Sequence, residues 1–309
     1  MKPIKVIIDC DPGHDDAIAL LMAHRLPEIE LVAVTTVCGN APLERTTINA
    51  RRIMELLGAT DVPIAAGCAT PLARSLVLGT ADGPSGLDGS PYLPDPSVDV
   101  VEMHGVDFLA QKLREADEPI VLVPTGPLTN IGMLVLKYPE LLSKIEKVVL
   151  MGGAFYRRSE IITPTEFNIF CDPEAAEIVL ASGLDITMVG LDVTMHVLVE
   201  EEEFAAIEKI DTPLSRVVFD WLKFYEKLHR GQMGIGGALH DPLALAVVIN
   251  PGLIETREAH VSIDRTGTHT FGATVADYFR LNGLEPNVKV ASRVDSAGFF
   301  EMLYRSLED

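Results

Sequence analysis

One stretch of this chain, Val6-Ile7-Ile8-Asp9-Cys10-Asp11-Pro12-Gly13-His14-Asp15-Asp16-Ala17, constrains its fold more than any other. Residues 4–8 are almost continuously apolar, as suits a strand covered on both faces, and Pro12-Gly13 ends that strand. From Asp15 onward, Ile18, Leu21, Met22 and Arg25 follow helical spacing. This predicts a helix whose first turn carries Asp15 and Asp16, where free N–H groups and the helix dipole favour negative charge. Asp9 and Asp11 are two apart, so in extended chain they share a face at the carboxyl end of the strand. Four carboxylates therefore crowd one strand-to-helix turn, and they repel unless a cation or shared protons neutralise them. An all-oxygen donor set suits a hard cation, Ca²⁺ or Mg²⁺, and a bidentate carboxylate leans towards Ca²⁺. A helix cap with two acids would account for Asp15 or Asp16, but not for all four.

Beyond this turn the sequence alternates strand and helix. Strands are predicted over residues 30–38, 62–66, 119–124, 145–150 and 185–191, with helices over 43–57, 103–116 and 213–229 and a helix start at Asp172-Pro173. Later strands fall near 258–263, 270–276 and 288–292, with a terminal helix from Asp295. His260 and His269 are expected within strands. Such alternation predicts an α/β fold: an open, mainly parallel twisted sheet flanked by helices, with the active site at the carboxyl ends of the strands. With 309 residues and 48% hydrophobic content, one domain over 1–309 is expected. A net charge of −20 argues against nucleic acid as a partner but leaves an uncharged small molecule open. No apolar run reaches spanning length, so no membrane association is expected. Cys10, Cys38, Cys68 and Cys171 show no CxxC spacing, and a cytoplasmic location follows as the expectation.

The run Asp9-Cys10-Asp11-Pro12-Gly13-His14-Asp15-Asp16-Ala17-Ile18-Ala19-Leu20 resembles the amino-terminal signature of the inosine-uridine preferring nucleoside hydrolase family. Three later stretches resemble the same family in order: Pro124-Thr125-Gly126-Pro127-Leu128-Thr129-Asn130, Glu166-Phe167-Asn168-Ile169-Phe170-Cys171-Asp172-Pro173-Glu174-Ala175-Ala176, and Leu239-His240-Asp241-Pro242. Together they span essentially the whole chain. The resemblance implies a Rossmann-like nucleoside hydrolase fold and cleavage of the N-glycosidic bond of a ribonucleoside to ribose and free base. It implies Ca²⁺ held by Asp11, Asp16, the backbone oxygen of Thr125 and Asp241, with Asp11 as general base towards water and His240 as a candidate general acid. Asp15, Asn40, Glu166, Asn168 and Met151 would hold the sugar. Asp82, Tyr225 and His229 would lie near the base, and a homodimer or homotetramer is implied.

Two departures from the family pattern stand out. Asp82 occupies the place where many relatives carry histidine, and a carboxylate accepts where an imidazole could donate or stack. Ahead of Thr163-Pro164, relatives usually carry an asparagine that residues 157–162 lack; Arg157, Arg158, Ser159 or Glu160 could supply the missing sugar contact. Purine or pyrimidine preference therefore stays open. Taken without the resemblance, Asn40 reads as a turn residue, Glu166 and Asn168 as a capping cluster, and Tyr225 as part of a core stripe with Phe219 and Leu222. Two other classes remain: a catalytically weak nucleoside-binding or sensing protein, and a metal-dependent phosphatase of the haloacid dehalogenase type. Asp9-Cys10-Asp11 after an apolar strand suggests the phosphatase, whereas Pro12-Gly13 and the doubled Asp15-Asp16 fit it poorly.

Overall fold

Strand β1 (Ile4–Cys10) separates the two halves of the core. Val6, Ile8 and Cys10 pack into one hydrophobic cluster and Ile7 into the other, as the two-residue period of a strand requires. The structure is a computed structural model, and it describes residues 2–79, 83, 85–97, 99–156, 165–233 and 236–308, the side chains of 228, 229, 232 and 233 excepted.

In chain order, β1 is followed by α1 (His14–Arg25), β2 (Ile29–Thr36), α2 (Leu43–Leu56), β3 (Ile64–Ala66), α3 (Gly105–Glu115), β4 (Ile120–Pro124), α4 (Thr129–Lys137) and β5 (Ile145–Met151). Next come α5 (Phe167–Cys171), α6 (Pro173–Leu180), β6 (Ile186–Val189), α7 (Leu191–Thr194), β7 (Leu198–Val199), α8 (Glu201–Ile210), α9 (Pro213–Met233), β8 (Gly237–Ala238) and α10 (His240–Ile249). The chain closes with β9 (Ile254–Ile263), β10 (Thr274–Asp277), β11 (Val288–Val294) and α11 (Ser296–Leu307).

Among the described residues, nine strands form one sheet in the order β10-β9-β11-β6-β5-β4-β1-β2-β3, while β7 and β8 pair separately. From β3 to β11 the neighbours are parallel; β9 and β10 extend the sheet antiparallel. The strand order runs outward from β1 through β2 in one direction and from β4 in the other. Between β1 and β4 lies the switch point where open α/β sheets leave a crevice for ligands. Register aligns the strand ends there, since Asp9 stands opposite Thr35 of β2 and Pro124 of β4.

Three segments depart from expectation. Helix α9 continues through Gly231 to Met233, because one glycine costs a long packed helix only about 1 kcal/mol. Residues 167–171 form a separate short helix, and β10 starts at Thr274, which leaves His269 in a turn. No helix among the described residues is long and apolar enough to cross a membrane.

Candidate active site

Two helix starts meet over the β1–β4 crevice. Gly13 precedes α1 and Leu239 precedes α10, the two helices pack together, and the first turn of each carries buried acids. Carboxylate oxygens of Asp15, Asp16 and Asp241 all lie within 4.8 Å of one another, and the Asp241 N–H donates to Asp15 Oδ2 at 3.4 Å. Burial, then the Asp15, Asp16 and Asp11 charges, push the Asp241 carboxyl well above its usual range. Asp16 accepts from the Thr125 hydroxyl at 2.7 Å, from the Gly13 N–H at 3.1 Å and from Asn40 Nδ2 at 3.4 Å. Asp11 accepts the Asn40 N–H at 2.7 Å. A Cβ on Gly39 would stand 2.1 Å from Asp11 Oδ2, and one on Gly126 would stand 2.6 Å from Oδ1. Only glycine on both sides leaves room for this carboxylate. Even helped by two helix dipoles, protons or a cation must offset so many buried acids, and the oxygen-only donors fit a hard divalent cation.

Asp9 faces away from this group, towards α4. Its Oδ1 accepts from the Thr35 hydroxyl at 2.5 Å and from Asn130 Nδ2 at 2.7 Å, and burial still raises it to about 7. Asn130 also donates to the Thr36 carbonyl and accepts the Cys68 N–H, tying the ends of β1, β2 and β3 together. The sequence offers no signal for the bond from Asn130 to Asp9, which joins residues 121 apart.

Opposite the acids stands the segment after β5. Glu166 caps α5, accepting the N–H groups of Asn168 at 2.8 Å and of Ile169 and Gly153 at 3.1 Å. Burial raises this carboxyl too, and the backbone donors pull against the rise. Asn168 Nδ2 donates to the Thr125 carbonyl at 2.6 Å and lies 3.3 Å from the Met151 carbonyl and 3.5 Å from its sulfur. Thr125, Met151, Glu166 and Asn168 thus share one wall of the crevice. The capping reading holds for Glu166. Five residues are too few to show a helical repeat, so the helix that Glu166 caps emerges only from the fold.

The model of the inosine-uridine preferring nucleoside hydrolases matches residues 6–301. The chain belongs to this family. It is 46% identical over 98% of its length to a pyrimidine-specific ribonucleoside hydrolase RihA of Shewanella woodyi, covering 97% of that protein. It is 41% identical over 97% of its length to the Escherichia coli protein of the same description, again covering 97% of it. Among solved structures, a purine-preferring ribonucleoside hydrolase from Gardnerella vaginalis superimposes with a TM-score of 0.91 at 34% identity over 98% of both chains. A plant nucleoside hydrolase gives 0.92 at 31% over 99% of both. The chain is therefore a nucleoside hydrolase, a glycosyl hydrolase of the α/β class.

The remaining expected residues of this nucleoside hydrolase divide into three groups. His240, at the start of α10, contacts the Thr194 hydroxyl through Nδ1 at 2.7 Å. The ring keeps a partly exposed edge, yet the protein around it lowers its pKa to about 4. Tyr225 is buried, its ring 5.7 Å from that of His14. Asp82, residues 157–162 and the His229 side chain lie outside the described residues.

Proposed function

We propose that this hydrolase cleaves pyrimidine ribonucleosides to ribose and free base, using Ca²⁺ held by Asp11, Asp16, the Thr125 carbonyl and Asp241. The convergence of Asp15, Asp16 and Asp241 within 4.8 Å, in a crevice also bordered by Asn40 and Asn168, carries this reading. The pyrimidine preference rests on the descriptions of the relatives at 41–46% identity.

N-glycosidic cleavage passes through a ribosyl cation-like state, which negative charge near the sugar stabilises. When bound, the cation supplies a positive centre that makes nearby water more acidic and attracts ribose hydroxyls. Asp11, held by the Asn40 N–H between Gly39 and Gly126, takes the proton of the attacking water. Asp15, Asn40, Glu166 and Asn168 hold the ribose, and Met151 closes the floor beneath it. Direct displacement needs no covalent intermediate, and the four free cysteines are poor nucleophiles because burial raises their thiols. His240 is neutral near pH 7 and serves the departing base through an imidazole N–H.

Base release from uridine, cytidine, inosine and 2′-deoxyuridine tests this reading. Uridine and cytidine should be cleaved most efficiently, with deoxyuridine slower by on the order of 10³-fold because ribose-binding groups are left unpaired. Tight binding of uridine without turnover would favour the binding-protein reading instead.

A further inference from the structure

His14 is a buried polar residue for which the chemistry above has no use. It is the first residue of α1, fully buried, and adjacent to Asp15. Its Nε2 lies 2.5 Å from the Asp88 carbonyl, and since a carbonyl only accepts, Nε2 carries the proton. The ring stacks on Phe224 of α9 with centroids 5.4 Å apart and planes at 27°.

The turn at 85–89 is held from other sides as well. Asn49 of α2, also buried, donates through Nδ2 to both the Pro12 and Ser85 carbonyls at 3.1 Å. Within the turn, the Ser85 hydroxyl donates to Asp88 and accepts the Leu87 N–H, and Leu87 is itself in the core. Gly89 has φ +122°, and a Cβ there would come 2.6 Å from Phe224 Cβ. Residues 67–97 include no helix or sheet strand among those described, so this segment would ordinarily be free to wander. Buried His14 of α1 and Asn49 of α2, with half-buried Phe224 of α9 beside them, instead fasten the turn to the peptide that carries Asp11, Asp15 and Asp16. At the other end of the segment, the Gly79 N–H bonds to the Gly39 carbonyl beside Asn40. The segment therefore borders the crevice beside Asn40 at Gly79, and at the turn Asn49 ties it to the Pro12 carbonyl next to Asp11.

We propose that His14 is a positioning residue: it fixes the 85–89 turn as a wall for the part of the substrate that extends beyond the ribose. The proposal rests on the nucleoside reading above and adds the group that seats this wall. The geometry gives His14 no contact with the reacting bond, so its loss acts on substrate affinity ahead of turnover.

His14→Phe keeps a ring against Phe224 and removes the bond to Asp88. Hydrogen exchange at the amides of 86–89 should speed up at least tenfold in this variant, and KM for uridine should rise about tenfold, the scale of one lost hydrogen bond, with kcat within threefold of wild type. His14→Gln, which retains a side-chain N–H, should recover part of the protection. Gly89→Ala pushes the same turn off α9 from the opposite side and lies on the surface, so it tests the seat even if His14→Phe fails to fold. It should raise KM likewise. Unchanged exchange and KM in both variants, or a fall in kcat at constant KM, would overturn the proposal. A wild-type protein that cleaves no nucleoside would refute the functional reading while the exchange measurement still reports on the anchor.

Discussion

Glu166 and Asp241 are both buried carboxylates on the walls of one crevice, yet their surroundings are opposite. Around Glu166 the fold supplies backbone N–H donors, from Gly153, Asn168 and Ile169. Around Asp241 it supplies further acids, Asp15, Asp16 and Asp11. Backbone donors offset the charge of the first carboxylate, whereas the neighbours of the second add to it. Both are carboxylates at similar depth, so their neighbours alone distinguish the acidic cluster from the satisfied wall. Asp172 belongs with Glu166, bonded to the Thr129 hydroxyl and to the Leu72 and Ala175 N–H groups.

The largest expected effect comes from exchanging each acid for its amide. Asp241→Asn should lower kcat/KM by on the order of 10³-fold while raising the melting temperature of chelated protein by about 2 °C, since a repelled acid is removed. Glu166→Gln should instead destabilise by about 1–3 kcal/mol, because an amide cannot accept from every N–H that the carboxylate satisfies. Thermal melts in chelator with parallel kinetics read both. If the two variants shift stability in the same direction, the contrast between the walls is broken.

pH sharpens the same contrast. Asp9, raised to about 7, and Asp241, raised well above its usual range, keep protons in the fold that the unfolded chain has already released. Their stabilising contribution is complete below about pH 4 and is lost as pH climbs through the folded values. Chelated protein should therefore melt lower at pH 8 than at pH 5. Added Ca²⁺ should flatten that slope, and Asp9→Asn should reduce it. A flat profile without metal would show that the acids do not repel.

Smaller effects are expected at His240. His240→Ala should cost about 10²-fold with nucleosides whose base is a poor leaving group and less with better ones, as leaving-group assistance requires. Equal losses across a series of bases would remove the acid role. Thr194→Val deletes the partner of Nδ1 and should cost about threefold, the scale of one neutral hydrogen bond, in kcat/KM for the same substrates.

The first half of the acidic wall was legible in the sequence because it is local, one strand-helix junction marked by Pro12-Gly13 and by acids in a first helical turn, whereas Asp241 joins it from 226 residues away and was reached only through the family resemblance. The mainly parallel sheet followed from strand-helix alternation, and strand limits held to within a few residues, whereas the strand order and the β1–β4 crevice came from the fold. What the sequence did not disclose depends on distant partners. Asn130 reaches Asp9 from 121 residues away, Asn49 meets Ser85 across 36, and His14 meets Asp88 across 74. No periodicity encodes such pairs. Tyr225 was weighed as core against base contact, and its burial against the His14 ring puts it beneath the turn. Helix α5 is too short to show an amphipathic repeat, so the sequence offered a capping cluster at Glu166 without the helix it caps.

Calorimetric titration of Ca²⁺ into metal-free protein, beside the same titration of Asp241→Asn, tests most directly whether the unbalanced acids form a cation site. Saturable binding of one ion per chain is predicted for the wild type, with the binding heat lost in the variant and base release from uridine returning as the wild-type site fills. Absence of saturable binding, an unchanged isotherm in Asp241→Asn, or full activity of the metal-free enzyme would contradict the account.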